Sequence, residues 1–320
     1  MTVATVNVWS GLKYSGFFTA GEYEADAARE FRYELLSEEL ARLSPDVIGL
    51  NEANPLPDYA QRLGLDLEYT QVNGWRRAGV RVGAVGLPVN LREGDVLLAR
   101  PELELSKSGS SSLSGGPAGS VVAFQLSDAT QVLAGKVTVG GRRVHLFVTR
   151  LHPSPFATPE KLDRITEAYS SGELPGTRMV EKLRRAVDGA NRRNREVENL
   201  LVYINRKAGK EPAILMGSLN ALPGSDEVAR IREAGCVDSY AAANPDVPGF
   251  TWDSQRNGVA DRYGPAPWEP GRYRVDYIFV RGDAISVQDA RVFLDDPTYG
   301  VYASDHFGVL ATLEIAEPAE

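Results

Sequence analysis

Five apolar runs in this sequence end on, or are broken by, a polar residue that a core strand does not need. Asn7 follows Val6, and Glu52 closes Ile48-Gly-Leu-Asn-Glu. Asn220 stands just past Ala213-Ile-Leu-Met216, with Ser218 between them. Asp276 interrupts Arg274-Val-Asp-Tyr-Ile-Phe279, and Asp305-His306 precedes Phe307-Gly-Val-Leu310. Singly, each fits a turn or a helix cap. Together they suggest a site, because open α/β folds gather function at one end of their strands. Glu52 and Asp305, aided by the amide oxygen of Asn7, are hard oxygen donors suited to one Mg²⁺ or Mn²⁺. His306 beside Asp276 or Asp305 can act as a general acid or as a cationic donor to a phosphoryl oxygen. A metal ion and an imidazolium together would stabilise a pentacoordinate phosphorus.

Other chemistries find less support. No G-x-S-x-G elbow is present, which argues against Ser-His-Asp hydrolysis. Three His and one Cys are a poor basis for structural zinc. The single Cys236 also rules out an internal disulfide and fits a reducing compartment. The opening MTVATVNVWSGL lacks the basic and apolar regions of a secretion signal, so a cytoplasmic location is expected. No apolar run approaches the ~20 residues that span a bilayer.

The elements that must position these residues are short strands interleaved with helices. Thr2–Val8, Val47–Leu50, Val121–Leu126, Thr130–Val139, Arg143–Leu151, Ala213–Met216, Arg274–Val280, Ser286–Leu294 and Phe307–Ile315 read as strands. The runs 121–126, 130–139 and 143–151 read as consecutive antiparallel strands, with Gly140-Gly141 as a hairpin turn. Helical spacing covers Glu22–Leu43, stopped by Ser44-Pro45, and Thr177–Ala208. The second helix is rich in arginine, which fits a solvated face or a phosphate-facing rim. Lys107–Ser120 reads as a Gly/Ser-rich loop, either a connection or a flap beside the site. Pro245–Pro270 reads as an irregular but packed stretch, since it holds Trp252, Tyr263 and Trp268. No linker divides the chain, so residues 1–320 are expected to form one domain.

In this order, TVNVWSGL, Asp46-Val-Ile-Gly-Leu-Asn-Glu52, Arg274-Val-Asp-Tyr-Ile278 and Ser304-Asp-His306 resemble the endonuclease/exonuclease/phosphatase superfamily, whose fold is DNase I-like. The resemblance covers nearly the whole chain. It implies a four-layer α/β sandwich, with two facing mixed β-sheets flanked by helices, and metal-assisted cleavage of phosphoric esters. By it Glu52 is the principal metal ligand, with Asn7 and Asp305 nearby. His306 acts on the scissile phosphate and Asp276 orients it.

Two positions depart from that pattern. Its G-D-x-N turn is Gly217-Ser-Leu-Asn220 here, so Ser218 replaces the acid that positions or deprotonates the attacking water. An uncharged hydroxyl is no comparable base without activation. The T-H-L segment is Thr149-Arg-Leu-His-Pro153. The simplest register puts Arg150 at the phosphate-binding histidine, and this register is preferred. A slip of two residues would give that role to His152. Arginine can still clamp a phosphate or a carboxylate through its planar fork.

The sequence supports a divalent-metal-dependent hydrolase of a phosphoric ester with atypical water activation. A repurposed enzyme of non-phosphoester chemistry on a small metabolite, and a non-catalytic ligand binder, are the alternatives. The formal net charge of −8 argues against a grip on duplex nucleic acid and favours a small anionic or lipid-like phosphoester. Gly74-Trp75-Arg76-Arg77 pairs an aromatic with two guanidiniums and is a candidate lid over such a substrate.

Overall fold

The structure, a computed structural model, describes residues 1–13, 22–79, 81–82, 85–88, 92–115, 125–128, 130–156, 163, 167, 170–172, 177–263 and 271–318. Thirteen strands build its two large sheets. They are β1 (Thr2–Asn7), β2 (Val47–Ala53), β3 (Thr70–Gly79), β4 (Arg92–Ala99), β5 (Ser106–Ser114), β6 (Gln125–Asp128) and β7 (Thr130–Val139). There follow β8 (Arg142–Arg150), β9 (Ala213–Ser218), β10 (Cys236–Asp238), β11 (Asp276–Arg281), β12 (Ile285–Phe293) and β13 (Gly308–Ile315). One sheet runs β6-β3-β4-β2-β1-β13-β12, the other β10-β11-β9-β8-β7-β5. Both are mixed, since β1 pairs parallel with β2 and β8 parallel with β9, while their other neighbours are antiparallel.

Alternation along each strand sorts the side chains into layers. Val3 and Val47 of one sheet meet Val148, Met216 and Ile278 of the other in the central core. The intervening residues face outward. Val6, Ile48 and Leu50 pack under helices α1 (Asp26–Leu43) and α2 (Asp58–Leu67). Phe147, Leu215 and Tyr277 pack under α3 (Thr177–Ala208) and α4 (Asp226–Glu233). The result is helix, sheet, sheet, helix: the expected four-layer sandwich. Each fully buried Val, Leu, Ile or Phe contributes roughly 1.5–3 kcal/mol to holding it. The close approach of the sheets depends on Gly49, where an added Cβ would lie 2.3 Å from Met216 Sδ.

Several local expectations need correction. Glu22–Tyr23 is not helical but pairs with Leu12–Lys13 in a two-stranded ribbon, and α1 starts at Asp26. The helical apolar spacing begins at Phe31 and the helix extends about one turn ahead of it, while Glu22–Tyr23 are held by the ribbon. The Gly/Ser-rich segment is largely an edge strand, β5, paired with β7; residues 116–120 lie outside the described part. Its serines lack a large apolar face, and α3 supplies the restraint instead. Asn199 Nδ2 donates to Leu113 O at 2.8 Å and Lys207 Nζ to Ser108 O at 2.6 Å. The three consecutive strands are not one meander: β6 joins β3 in the other sheet, and only β7 and β8 form the Gly140-Gly141 hairpin. Residues 121–124 and Trp268 lie outside the described part, whereas Trp252 is buried in a short ribbon strand.

Four arginines of α3 are tied to acids within its own layer. Arg184 and Arg185 pair with Glu181, Arg192 with Glu196, and Arg193 with Glu227 of α4. These contacts fit a helix face rather than a phosphate-facing rim.

Candidate active site

Strand direction decides which residues meet. The C-terminal ends of β1, β2, β8 and β9 lie at one rim of the sandwich. Their antiparallel neighbours β13, β4 and β11 begin there. On the second sheet Arg150, Ser218 and Asp276 are register partners across three strands, so they form one row. They share the face of Val148, Met216 and Ile278, which looks into the space between the sheets. On the first sheet Asn7 and Asn51 are partners on the equivalent inner face.

Each turn has a local cause. Gly217 has φ +127°, and a Cβ there would sit 2.1 Å from Thr149 O and 2.8 Å from Asn51 Oδ1. Only glycine lets β9 approach β8 and Asn51 so closely. Glu52 and Asn220 take left-handed backbone, at φ 61° and 50°. Such strain in non-glycine residues costs on the order of 1–3 kcal/mol and concentrates at functional sites.

Arg150 reaches across to the first sheet. One guanidinium nitrogen lies 2.7 Å from Glu52 Oε1, and another is 3.8 Å from Glu93 Oε1. Asn7 Nδ2 also donates to Glu52 Oε1 at 2.9 Å, and Ser10 N–H to Oε2 at 3.4 Å. Ser218 N–H donates to Asn51 Oδ1 at 2.9 Å, while Asn51 Nδ2 donates to Asp95 Oδ1 at 2.8 Å. The Ser218 hydroxyl is fully buried and has no hydrogen-bond partner, and Asp276 Oδ1 is likewise unmatched. Buried polar atoms without partners are costly, so a row carrying two of them is shaped for a ligand.

His306 Nδ1 lies 2.8 Å from Asp276 Oδ2, and the ring packs edge-on against Trp252 at 5.1 Å. Burial alone would lower the imidazole pKa. The charges of Asp276, Asp305 and Glu52 outweigh it and push it up to about 9, so His306 is cationic at neutral pH. Asp305 is pushed up to about 6, mainly by burial and also by the Glu52 charge, against the pull of His306, Arg32 and Arg150. Ser304 holds the loop in place: its Oγ donates to Asn7 O at 2.6 Å and accepts from His306 N–H at 3.3 Å.

The remaining expected residues divide. Asn220 is buried at the rim, but its NH₂ donates to Leu151 O at 2.7 Å, so it braces the end of β8. His152 lies beyond that strand end, where its backbone N–H donates to Glu196 Oε2 of α3 at 2.8 Å. The side chain that meets Glu52 is that of Arg150. Trp75 is 55% exposed on β3, opposite Gly94 and next along from Glu93, with the Arg92 guanidinium 5.4 Å from its ring. The side chains of Arg76 and Arg77 lie outside the described residues.

Sequence reasoning missed Glu93 and Asp95, both buried on the inner face of β4. Two acids spaced by two ahead of Val96-Leu-Leu-Ala99 were the available signal. It also missed Thr251, whose Oγ1 accepts from Val275 N–H at 3.0 Å and Asp276 N–H at 3.1 Å. A lone threonine in an irregular stretch gives no such signal.

A divalent ion at Glu52 would call on its carboxylate and on the amide oxygen of Asn7. That oxygen instead accepts from Trp9 N–H at 3.0 Å, which turns the NH₂ toward Glu52. Glu52 Oε1 already carries the guanidinium. Among the described residues no group of three His, Cys, Asp or Glu side chains is placed to hold a metal. As arranged, Glu52 Oε1 and Asn7 Oδ1 are engaged within the protein rather than turned to a shared ion.

Two facing mixed sheets with a polar rim and helices outside define a DNase I-like α/β sandwich. The chain belongs to the Endonuclease/Exonuclease/phosphatase family, whose pattern matches residues 4–306. Members of that family are generally metal-dependent phosphoesterases or nucleases. No curated protein matches the chain. Among solved structures it is similar to an endonuclease/exonuclease/phosphatase from Bacteroides vulgatus, with 17% identity, 98% of each chain covered and a TM-score of 0.64. A counterpart from Beutenbergia cavernae shares 19% identity, with 99% of this chain and 72% of that one covered and a TM-score of 0.62. D. rerio TDP2, complexed with single strand DNA product, shares 18% identity over 98% of each chain with a TM-score of 0.61. At these identities the likeness speaks for the fold alone.

Proposed function

We propose that this protein hydrolyses a phosphoric ester whose phosphoryl group sits over the row Arg150, Ser218 and Asp276, facing His306. The observation that carries the reading is the pair of cations at one rim: Arg150, held by Glu52, and His306, held by Asp276. Fixed donors in a water-poor site stabilise charge that develops on phosphoryl oxygens without reorganising during the reaction. Arg150 presents a planar fork of N–H donors to two such oxygens. Asp276 accepts at His306 Nδ1, so the imidazolium meets the substrate through Nε2 and can pass a proton to a leaving oxygen. The Ser218 hydroxyl is a neutral donor or acceptor to the bound group.

A small or lipid-like phosphoester suits this reading better than duplex DNA. The chain carries a net charge of −8, and Arg184, Arg185, Arg192 and Arg193 of α3 are engaged with acids of their own layer.

A second reading, binding without turnover, follows from the resemblance drawn in the sequence, by which Ser218 takes the place of an acid. Losing a general base lowers a rate by roughly 10²–10⁴-fold. Release of p-nitrophenol from bis-p-nitrophenyl phosphate separates the two. Slow turnover above the uncatalysed rate is expected, with losses of about tenfold or more in Arg150→Ala and His306→Ala. No turnover by the wild-type protein, together with saturable phosphate binding, would make it a binder.

A further inference from the structure

We infer that Arg150 is a built-in replacement for the catalytic metal: its guanidinium supplies the positive charge at Glu52, and the protein handles its ligand without a divalent ion. The inference deepens the reading of a phosphoryl site and rests on it.

Three observations converge. The first is geometric. Glu52 Oε1 is 2.7 Å from the guanidinium, and a second arm of Arg150 points toward Glu93 at 3.8 Å. Glu52 and Glu93 start from different strands of the first sheet, and Arg150 crosses from the second. The guanidinium therefore bridges the two sheets as a bound ion would. A divalent ion on the same oxygen would sit within a few ångströms of a fixed positive charge, and the two would repel strongly at this depth.

The second is a matter of charge. By the resemblance drawn from the sequence, Ser218 takes the place of one carboxylate and Arg150, a permanent cation, the place of a neutral imidazole. One negative charge fewer and one positive charge more amount to the charge of a single divalent ion. The two changes fall on register partners of adjacent strands, so both act on the same small volume. Either alone would unbalance the rim; together they leave its total charge where the pattern, with its ion, has it. The third is the orientation of Asn7, whose oxygen is turned to Trp9 N–H at 3.0 Å and whose NH₂ faces Glu52. That orientation suits a carboxylate paired with a guanidinium and not a shared metal.

Mn²⁺ titration, followed by electron paramagnetic resonance and calorimetry, tests this without reference to turnover. The wild-type protein is expected to show no Mn²⁺ site that depends on Glu52. Arg150→His with Ser218→Asp is expected to gain Mn²⁺ affinity of roughly a hundredfold or more, by relief of the repulsion and return of a ligand. Adding Glu52→Gln should remove that gain. Circular dichroism establishes that each variant folds, and Arg150→His alone is read in the same way if the double variant does not. Tight Mn²⁺ binding by the wild-type protein that Glu52→Gln abolishes overturns the inference. So does a folded double variant that gains no affinity. Failure of the hydrolase reading is a separate result, the absence of p-nitrophenol release, and leaves these titrations interpretable.

Discussion

In the proposed reading Arg150 and His306 are both cations for the bound group, and each is held by a carboxylate. The difference between them is titratability. A guanidinium stays charged at every accessible pH, so of the two cations only His306 titrates. Its pKa is raised to about 9, from an ordinary 6.5. The charged form therefore stabilises the fold fully below pH 6.5, and that stabilisation is lost as pH rises through about 9. Anion binding follows the same charge. Phosphate affinity, measured by calorimetry across pH, is expected to hold to neutrality and fall as pH passes about 9. Asp276→Asn removes the carboxylate that contributes most to the rise, so the fall should move to lower pH. A fall at the same pH in both proteins would contradict the pairing. Most of these residues are legible in the sequence, because Asn7, Glu52, Asp276 and His306 each break an apolar run that otherwise reads as core. Which nitrogen or oxygen faces which partner is not legible, since it depends on contacts between strands far apart in the chain.

At the scale of elements, the site depends on β8, β9 and β11 keeping one register, because a slip of one residue would turn the whole row to the helix side. Gly217 is the hinge of that arrangement. Gly217→Ala is expected to destabilise the protein by about 3 kcal/mol or more, as read by chemical denaturation, from strain at positive φ and a clash with Thr149 O. A change below about 1 kcal/mol would mean that β9 can move away from β8 at little cost. Strand and helix patterns recovered β1, β7, β8 and α3 to within a residue, while the apolar runs read for β2 and β9 stopped short of the polar residues at their ends. The edge strand β5 escaped, since its serines carry no period and its stability comes from Asn199 and Lys207 of α3. The place of β6 in the first sheet escaped too. Pairing between sheets is a property of the assembled fold, and three strands in succession look like a meander whichever sheet they join.

For the whole molecule, the sandwich brings five distant segments to one edge, and neither sheet alone carries a complete site. Glu52 comes from one sheet, Arg150, Ser218 and Asp276 from the other, and His306 from the loop that enters β13. The fold was legible in the order of the motifs, as the match over residues 4–306 attests. Ser218 and Arg150 stood out in the sequence as departures from the resemblance. Their consequence was not legible, because only the packed sheets reveal that Arg150 spans to Glu52. The measurement that tests this most directly is a crystal structure of the wild-type protein soaked with inorganic phosphate and Mn²⁺ together. Density for a phosphate within hydrogen-bond distance of both Arg150 and His306, with the guanidinium still on Glu52, is the expected result. A Mn²⁺ ion on Glu52 with Arg150 swung aside, or a phosphate bound elsewhere on the surface, would contradict it.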